Sequence, residues 1–350
     1  MENENTMQIP VKEEKQYSAF RYALGAVLAF FGFSSKTHRA SKKRAKLVGD
    51  IFTYVILLFG TFIMVYPFWW MFAASFANTT SSIEGMQMRT MFSKIVWWPA
   101  FDTFKGATPY GGAFHNYAFL FESAFKGGGA SGLPAGFSYW RAVLNNLIYS
   151  VVPVVVGVIT SASAAFSFAK IDWVGRNKVF LFLLAAIMVP GPSIMTSQFV
   201  MYKSFGMGNQ TPWALIVPGL FGSIMTVFFI RQFLFGLPTS IIEAAKIDGA
   251  GYFRIFCGFI LPLAMPAIVA QGLLSFMGCW NNYMASFIFI SPQSEWINLP
   301  HAMTIVSNGL GSNLGPVLAS AVLCILPVLI LFACFQKLII GSLMLTGSKE

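Results

Sequence analysis

Long apolar runs without a charged side chain dominate this chain of 350 residues. Six runs contain no Asp, Glu, Lys, Arg or His and reach the roughly 20 residues that a helix needs to cross the hydrocarbon core of a bilayer. Because only helices and closed barrels satisfy all their backbone hydrogen bonds inside lipid, the pattern predicts an all-α polytopic membrane protein with six transmembrane helices. The predicted helices span residues 51–76, 142–169, 179–202, 211–230, 260–290 and 316–335.

Proline and small residues within these runs predict bent and closely packed helices. A proline ring removes one N–H donor and clashes with the preceding turn, so kinks are expected at the internal prolines. Residues 161–165, all Ser or Ala, offer a smooth face on the second helix where another helix can approach closely. The prolines concerned are Pro153, Pro190, Pro192, Pro218, Pro262 and Pro266.

The distribution of basic residues predicts the orientation of the helices. The segment before the first helix, residues 1–50, carries nine of the 23 Lys and Arg, whereas the connection 291–315 carries none. The second-to-third and fourth-to-fifth connections are also basic. Since basic loops remain cytoplasmic, both termini are predicted to be cytoplasmic. The net charge of +10 therefore reflects membrane topology, with some attraction to anionic lipid, and nucleic-acid binding explains it poorly.

The segments outside the helices differ in character. Within the basic tail 1–50, the apolar run 23–33 is too short to span a membrane and predicts an interfacial helix. Residues 77–140 form the only long external connection, which either caps the helix ends or offers a docking surface to an external partner. Residues 141–341 form the helical core, and 342–350 a cytoplasmic tail.

The chain lacks the residue patterns of common catalytic sites. It has no phosphate-binding GxxxxGK[ST] loop, no HExxH and no GxSxG, and its three histidines are far apart in sequence. The four cysteines show no paired spacing, so neither a disulfide framework nor a metal site is expected. We therefore expect a protein that is not an enzyme, with no metal and no cofactor in this chain.

The predicted helices contain neutral polar side chains where ion-coupled carriers usually place ionisable ones. Amides can bind sugar hydroxyls and aromatic faces can stack on sugar rings, so these residues are candidates for a substrate path. Hydrogen bonding between helices is the alternative, and the stronger one for each residue taken singly. The candidates are Asn145, Asn146, Gln198, Trp280, Asn281, Asn282 and Tyr283.

The sugar interpretation is strongest for the contiguous group at 280–283. It lies about 18 residues past Pro262, so on a straight helix it would stand roughly 27 Å from the cytoplasmic end, at ~1.5 Å per residue. That position places the group in the outer half of the membrane, where it would meet a solute that arrives from outside.

A polar stretch at 243–256, EAAKIDGAGYFRIF, separates the fourth and fifth helices. Ser240 and Glu243 stand three apart, as in a capping box, and predict the start of a short helix. Gly249 can adopt the left-handed conformation that ends such a helix. A second short helix is expected from about Gly251, with large apolar residues that either tuck under the bundle or are covered by a cytoplasmic partner.

This stretch and its continuation, EAAKIDGAGYFRIFCGFILPLAMP, resemble the EAA loop of membrane subunits of bacterial ATP-binding-cassette (ABC) importers. The family pattern is EAA, three residues, Gly, and an apolar ending with Leu-Pro. Asp248 completes the Asp-Gly pair that is common in the carbohydrate-uptake branch, and Trp280-Asn281 resembles the Trp-Asn that follows there. The resemblance covers roughly residues 97–350. Its matching residues in the loop are Glu243, Ala244, Ala245, Gly249, Ile260, Leu261 and Pro262.

The resemblance implies a type I importer permease fold, with a permease core at 141–341 and the EAA loop at 237–258. It implies that Glu243 pairs with a basic residue of an ATPase subunit, that Ala244 and Ala245 permit close approach, and that Gly249 sets the turn. The residues it assigns to ATPase coupling are Glu243, Ala244, Ala245, Asp248 and Gly249.

The resemblance also implies the partners and the location. The partners are a second permease subunit, two ATPase subunits that hold ATP and Mg²⁺, an extracytoplasmic solute-binding protein, a sugar and membrane lipid. The location is a bacterial inner membrane. The expected function is sugar import driven by ATP, with an oligosaccharide favoured. The alternatives are an importer of another solute class, and a membrane scaffold that docks a cytoplasmic partner without transport.

Overall fold

The computed structural model of the protein describes residues 40–76, 114–122, 138–208, 211–310 and 314–347. Every regular element in these ranges is a helix, as the sequence predicts. Thirteen helices are used below, in chain order. They are α1 (Ala40–Ala74), α2 (His115–Glu122), α3 (Tyr139–Lys170), α4 (Arg176–Ile187), α5 (Gly191–Ser204), α6 (Trp213–Leu220), α7 (Ile224–Phe235), α8 (Ser240–Ile247), α9 (Tyr252–Leu263), α10 (Met265–Trp280), α11 (Tyr283–Phe289), α12 (Leu299–Leu310) and α13 (Leu314–Gly347).

Several predicted features lie outside the described residues. They are the interfacial helix at 23–33, most of the external connection 77–140, and the last residues of the tail. The chain divides into two units, Met1–Pro67 and Phe68–Glu350. In the first unit the described part is residues 40–67 of α1, and the large apolar side chains from Ile51 to Val65 are exposed.

Within the described ranges, four stretches are long and apolar enough to cross a membrane, and two bent helix pairs raise the number to as many as six. The four are Gly49–Ala74, Tyr139–Lys170, Trp213–Phe235 and Leu314–Gln336. The pair α4 and α5 bends by 98°, and the pair α9 and α10 by 77°. The exact count of six spans stays a prediction, because it depends on whether each bent pair crosses once.

The bends coincide with the prolines that predicted them. The break between α4 and α5 contains Pro190, and the break at Ala264 lies between Pro262 and Pro266. Helices α6 and α7 are separated by residues 221–223, shortly after Pro218. Pro153 is the exception, because α3 continues through it as one helix of 32 residues.

Helix α3 is the centre of the second unit and contacts α6, α7 and α10. Its small-residue face meets the break between α6 and α7. There the Thr160 hydroxyl donates to the Leu220 carbonyl at 3.0 Å, and the Ser161 hydroxyl accepts from the Ser223 N–H at 3.1 Å. These bonds satisfy backbone groups that the break removes from the regular helical pattern. The predicted close approach at 161–165 is thus confirmed at Ser161.

Three glycines make this contact possible. A Cβ atom at Gly157 would collide with the carbonyl oxygen of Gly219, and one at Gly222 would collide with the Ser161 hydroxyl. Gly222 also has φ +81°, a left-handed conformation that side chains disfavour. The backbones of α3 and of the α6–α7 segment are therefore in direct contact.

We expect Gly157→Ala to lower the melting temperature of the purified protein, because the added methyl must push two backbones apart at a cost of about 1–3 kcal/mol. Gly278→Ala is the matched control, since Gly278 lies in α10 with nothing near its missing Cβ. Equal melting temperatures for the two variants would contradict this packing.

Candidate functional site

Helix α8 begins at Ser240, where the sequence predicts a helix start, but its N-cap differs from the prediction. Its N-cap is Thr239, which is already in the right-handed helical conformation (φ −70°, ψ −23°), and no side chain caps the helix. A capping side chain needs an extended N-cap residue to reach the free N–H groups. The predicted capping box of Ser240 and Glu243 is therefore wrong. Instead, the Glu243 N–H donates to the Thr239 carbonyl at 3.1 Å.

Helix α8 ends as the sequence predicts. Gly249 has φ +77° and follows Asp248, the C-cap residue. The Gly249 N–H donates to the Lys246 carbonyl at 3.0 Å, and the Ala250 N–H donates to the Ala245 carbonyl at 2.9 Å. These two bonds are the pair that defines a Schellman motif. The left-handed glycine therefore fixes the turn that leads into α9.

The two faces of α8 have different environments. Ile242 and Ala245, three residues apart, are buried in the core formed with α3, α7 and α9, and Ala245 is only 4% exposed. Glu243, Ala244 and Asp248 are exposed. The expectation that both alanines allow close approach by a partner is therefore corrected for Ala245, because its methyl faces the core of its own chain.

Two large apolar side chains of this helix–turn–helix remain uncovered. Ile247 is 86% exposed and Phe253 is 82% exposed, whereas Ile255 and Phe256 are buried. The sequence left two alternatives open for these apolar residues. Ile255 and Phe256 are tucked under the bundle, whereas Phe253 remains exposed. We call the exposed set the coupling surface. It consists of Glu243, Ala244, Ile247, Asp248 and Phe253.

Lys246 and Tyr252 join the two short helices across the turn. The Lys246 ammonium donates to the Tyr252 hydroxyl at 2.9 Å and lies 4.7 Å from the centre of the tyrosine ring. Cation–π contacts at exposed sites contribute about 0.5–1 kcal/mol, so this pair supports the turn that Gly249 sets. Sequence reasoning missed it because Lys246 and Tyr252 are six residues apart and meet only when the turn is formed.

Helix α9 contains a π-helical segment at Phe256–Ile260 that the sequence analysis did not predict. Pro262 has no N–H for the carbonyl of residue 258, which weakens the regular helical pattern at this point. Such segments are often found at functional sites. Pro262, two residues after the segment, is the sequence signal that could have indicated an irregular helix here.

Two cations bond the end of α3 to the part of the chain that precedes α8. The Lys170 ammonium, at the end of α3, donates to the Leu237 carbonyl at 2.7 Å. Arg231 of α7 donates to the Phe168 carbonyl at 3.2 Å and to the Asn177 amide oxygen at 3.5 Å. Both belong to the basic connections that predict the topology, and the sequence does not indicate these contacts.

Three substrate-path candidates are buried and bonded within the chain. Asn145 donates to the carbonyls of Glu295 and Ile297 at 2.7 and 3.0 Å. The Trp280 indole donates to the Cys324 carbonyl at 2.8 Å, and the Asn146 amide donates to the Trp280 carbonyl at 3.3 Å. These side chains hold helices and connections together. They do not present an accessible polar group to a sugar in this conformation.

The other candidates are more accessible. Asn281 and Asn282 are exposed, and Tyr283 and Gln198 are half-buried. The group at 280–283 is divided, since Trp280 ends α10 while the Asn282 side chain caps α11 by accepting from the Ala285 N–H. The straight-helix distance of the sequence analysis is corrected as well, because the 77° bend at Ala264 interrupts the path from Pro262.

The connection 291–302 is bound to the first turns of α3. Arg141 forms an ion pair with Glu295, and the Tyr149 hydroxyl donates to the Trp296 carbonyl at 2.9 Å. Further along, the His301 Nδ1 lies 3.1 Å from the Ser286 hydroxyl, and burial lowers the pKa of His301 below its usual value. His301 is therefore neutral at neutral pH. No three His, Cys, Asp or Glu side chains converge on a metal-sized site within the ranges that the structure describes.

The fold and these contacts define an all-helical polytopic membrane protein with a partly uncovered helix–turn–helix between two of its membrane segments. The chain belongs to the family described as binding-protein-dependent transport system inner membrane component, which matches residues 22–343. It is a permease component of a binding-protein-dependent importer. Membership implies partners of three kinds, namely a further permease, an ATPase and a solute-binding protein.

Two curated relatives indicate the branch of the family. The chain is 32% identical over 211 residues to the arabinooligosaccharides transport system permease protein AraQ of Halalkalibacterium halodurans, with 60% of this chain and 75% of the relative covered. It is 26% identical to the diacetylchitobiose uptake system permease protein NgcG of Streptomyces coelicolor, with 83% and 86% covered.

One solved structure supports the fold. It is a chain from a bacterial ABC transporter involved in the import of the acidic polysaccharide alginate. The similarity has a TM-score of 0.61 and covers 87% of this chain and 99% of that chain. The sequence identity is 18%, so this likeness concerns the fold alone.

We expect Gly249→Ala to loosen the helix–turn–helix, because a residue with a side chain costs about 1–2 kcal/mol in the left-handed conformation. Gly251→Ala is the control, since Gly251 has φ −71° and open space around it. Hydrogen–deuterium exchange of peptides from α8 and α9 should be up to about tenfold faster in Gly249→Ala alone. Identical exchange in the two variants would show that Gly249 does not hold the turn.

We expect Asn145→Ala to lower the free energy of unfolding by about 1–3 kcal/mol, because two carbonyls lose their donor. The exposed Asn281 donates only within its own helix, to the Met277 carbonyl at 3.0 Å. Asn281→Ala should therefore change stability by less than about 0.5 kcal/mol. Melting temperatures in detergent distinguish the two, and a larger loss for Asn281→Ala would reverse the assignment.

Proposed function

We propose that the chain is the permease subunit of an ATP-driven importer of sugars, with oligosaccharides as the favoured substrate class. The names of the relatives, which refer to arabinooligosaccharides and diacetylchitobiose, support this class. The neutral amides and aromatic rings in the predicted membrane segments suit an uncharged, hydroxyl-rich solute. An importer of another solute class remains the alternative, and a panel of sugars decides between them.

The observation that carries the proposal is the exposure of Ile247 and Phe253 on a turn with a fixed shape. Large apolar side chains that stay in water on an ordered element are typical of a partner-binding surface. An ATPase subunit that covers them would gain roughly 1.5–3 kcal/mol for each side chain that it buries fully. Glu243, beside them, would pair with a basic residue of that subunit.

The mechanism is conformational coupling without bond chemistry in this chain. The partner ATPase subunits bind ATP and Mg²⁺. When these two subunits close on each other, they displace the coupling surface. The helix breaks at Pro190 and Ala264 allow segments on either side to change their angle, so a path can open alternately to each side. Gln198, Asn281, Asn282 and Tyr283 are the residues we assign to that path, and both termini are cytoplasmic.

We expect Glu243→Lys to leave the protein in the membrane but to reduce ATPase co-purification and sugar uptake by at least about tenfold, because a charge pair becomes a repulsion at the centre of the contact. Gly249→Asp should act in the same direction through the turn. The matched control is Asp172→Lys, which makes the same charge change at an exposed residue that forms an ion pair with Arg176.

Co-purification is measured from detergent-solubilised membranes, and uptake in proteoliposomes with a panel of labelled glycans. Normal association and uptake in Glu243→Lys would contradict the coupling role. ATPase association without uptake of any solute by the unaltered complex would favour the scaffold alternative, and uptake restricted to another solute class would correct the substrate.

A further inference from the structure

Arg231 occupies an unusual site in the second half of α7. Its side chain is 9% exposed, and in the described part of the chain no carboxylate forms an ion pair with it. Its guanidinium lies between two rings, 3.9 Å from the centre of Phe180 and 4.5 Å from that of Phe235. Its hydrogen bonds go to the Phe168 carbonyl and the Asn177 amide oxygen. One side chain thus contacts α3, α4 and α7.

Burial of a cation without an anion is costly, so the contacts that replace water identify what the residue does. The Phe168 carbonyl belongs to the last turn of α3, where carbonyls lack a helical N–H partner and carry the negative end of the helix dipole. A guanidinium satisfies such a carbonyl and stacks on rings at the same time, which an ammonium cannot do equally well. Arg231 therefore fixes the end of α3 against α7.

Lys170 makes a second bond between the same two parts of the chain. It is the last residue of α3, and its ammonium donates to Leu237 in the linker between α7 and α8. The linker, residues 236–239, contains a glycine and a proline and has no regular structure. Arg231 and Lys170 therefore attach α3 to the chain just before the linker and within it.

These two bonds, together with the packing of Ile242 and Ala245 in the core around α3, determine how a movement of α8 reaches α3. A linker with free backbone torsions would absorb a displacement of α8, whereas a linker bonded to α3 passes it on. At its other end α3 is bound to the connection 291–302 through Asn145 and Tyr149. One helix of 32 residues thus connects the helix–turn–helix with a connection at the opposite end of the unit.

We propose that Arg231 and Lys170 are positioning residues that make α8 and α3 move as one body. Displacement of the coupling surface then turns α3, and a change at the connection 291–302 reaches the ATPase subunits by the same route. This inference rests on the proposed function, because it needs an ATPase partner on the coupling surface. It adds that coupling depends on two residues outside that surface.

The test uses the complete complex in proteoliposomes, with its solute-binding protein and the transported glycan found in the uptake panel. Lys170→Gln removes the bond to the Leu237 carbonyl, and Arg231→Gln removes the bond to the Phe168 carbonyl. Lys178→Gln is the matched control, since Lys178 is an exposed lysine of α4 that takes no part in these bonds. Lys170→Arg keeps a cationic donor and should restore function. The readouts are ATPase co-purification, the stimulation of ATP hydrolysis by binding protein plus glycan, and glycan transported per ATP.

We expect both glutamine variants to retain their ATPase subunits, while stimulation and glycan transported per ATP fall by at least about fivefold. Lys178→Gln and Lys170→Arg should match the unaltered complex. Because the coupling surface is intact in these variants, this pattern separates positioning from docking.

Unchanged stimulation and unchanged glycan per ATP in Lys170→Gln would overturn the inference. This result is decisive even if Arg231→Gln does not accumulate in the membrane. Loss of ATPase association in Lys170→Gln would overturn it too, since the residue would then act on docking. If the unaltered complex itself shows no stimulation by any glycan, the proposed function fails. That result is distinct from one in which only the role of Lys170 and Arg231 fails.

Discussion

The direct backbone contact between α3 and the break of α6 and α7 is the constraint on which the second unit depends. It needs glycine at positions 157, 219 and 222, because a methyl group at any of them would collide with the neighbouring segment. Once the backbones touch, Thr160 and Ser161 can bond the groups that the break leaves open. The break is therefore stable only in the presence of α3.

The same helix then determines the position of everything that we connect with function. One end of α3 is bonded to the connection 291–302, and the other to Arg231 and to the linker before α8. Helix α8 packs Ile242 and Ala245 against the core around α3 and leaves Glu243 and Ile247 outside. A coupling surface that was merely exposed could not move the membrane helices. In our proposal, the bonded connection to α3 carries a displacement of this surface to the membrane helices.

Local chemistry explains which parts could be predicted from the sequence. Uncharged apolar runs predict helices because lipid leaves the backbone few other options, and Gly249 predicts its turn because only the local backbone conformation is at issue. Ser240 misled the prediction of the cap, since the N-cap is Thr239, one residue earlier, and Thr239 already has a helical conformation. For Asn145 and Trp280 the sequence left a substrate path and a bond between helices open, because their partners, the carbonyls of residues 295, 297 and 324, are distant in sequence. The burial of Arg231 could not be predicted either, because its contacts Phe168 and Phe180 are also distant in sequence.

The most direct test of the central claim is the accessibility of the coupling surface with and without the ATPase subunits. Cysteine is introduced at Ile247 or Phe253 in a chain whose exposed cysteines, Cys257 and Cys334, are replaced by serine. Inside-out vesicles are then labelled with a membrane-impermeant thiol reagent. Our account predicts rapid labelling of both positions in the permease alone and strong protection when the ATPase subunits are bound. Equal labelling in the two samples would contradict it.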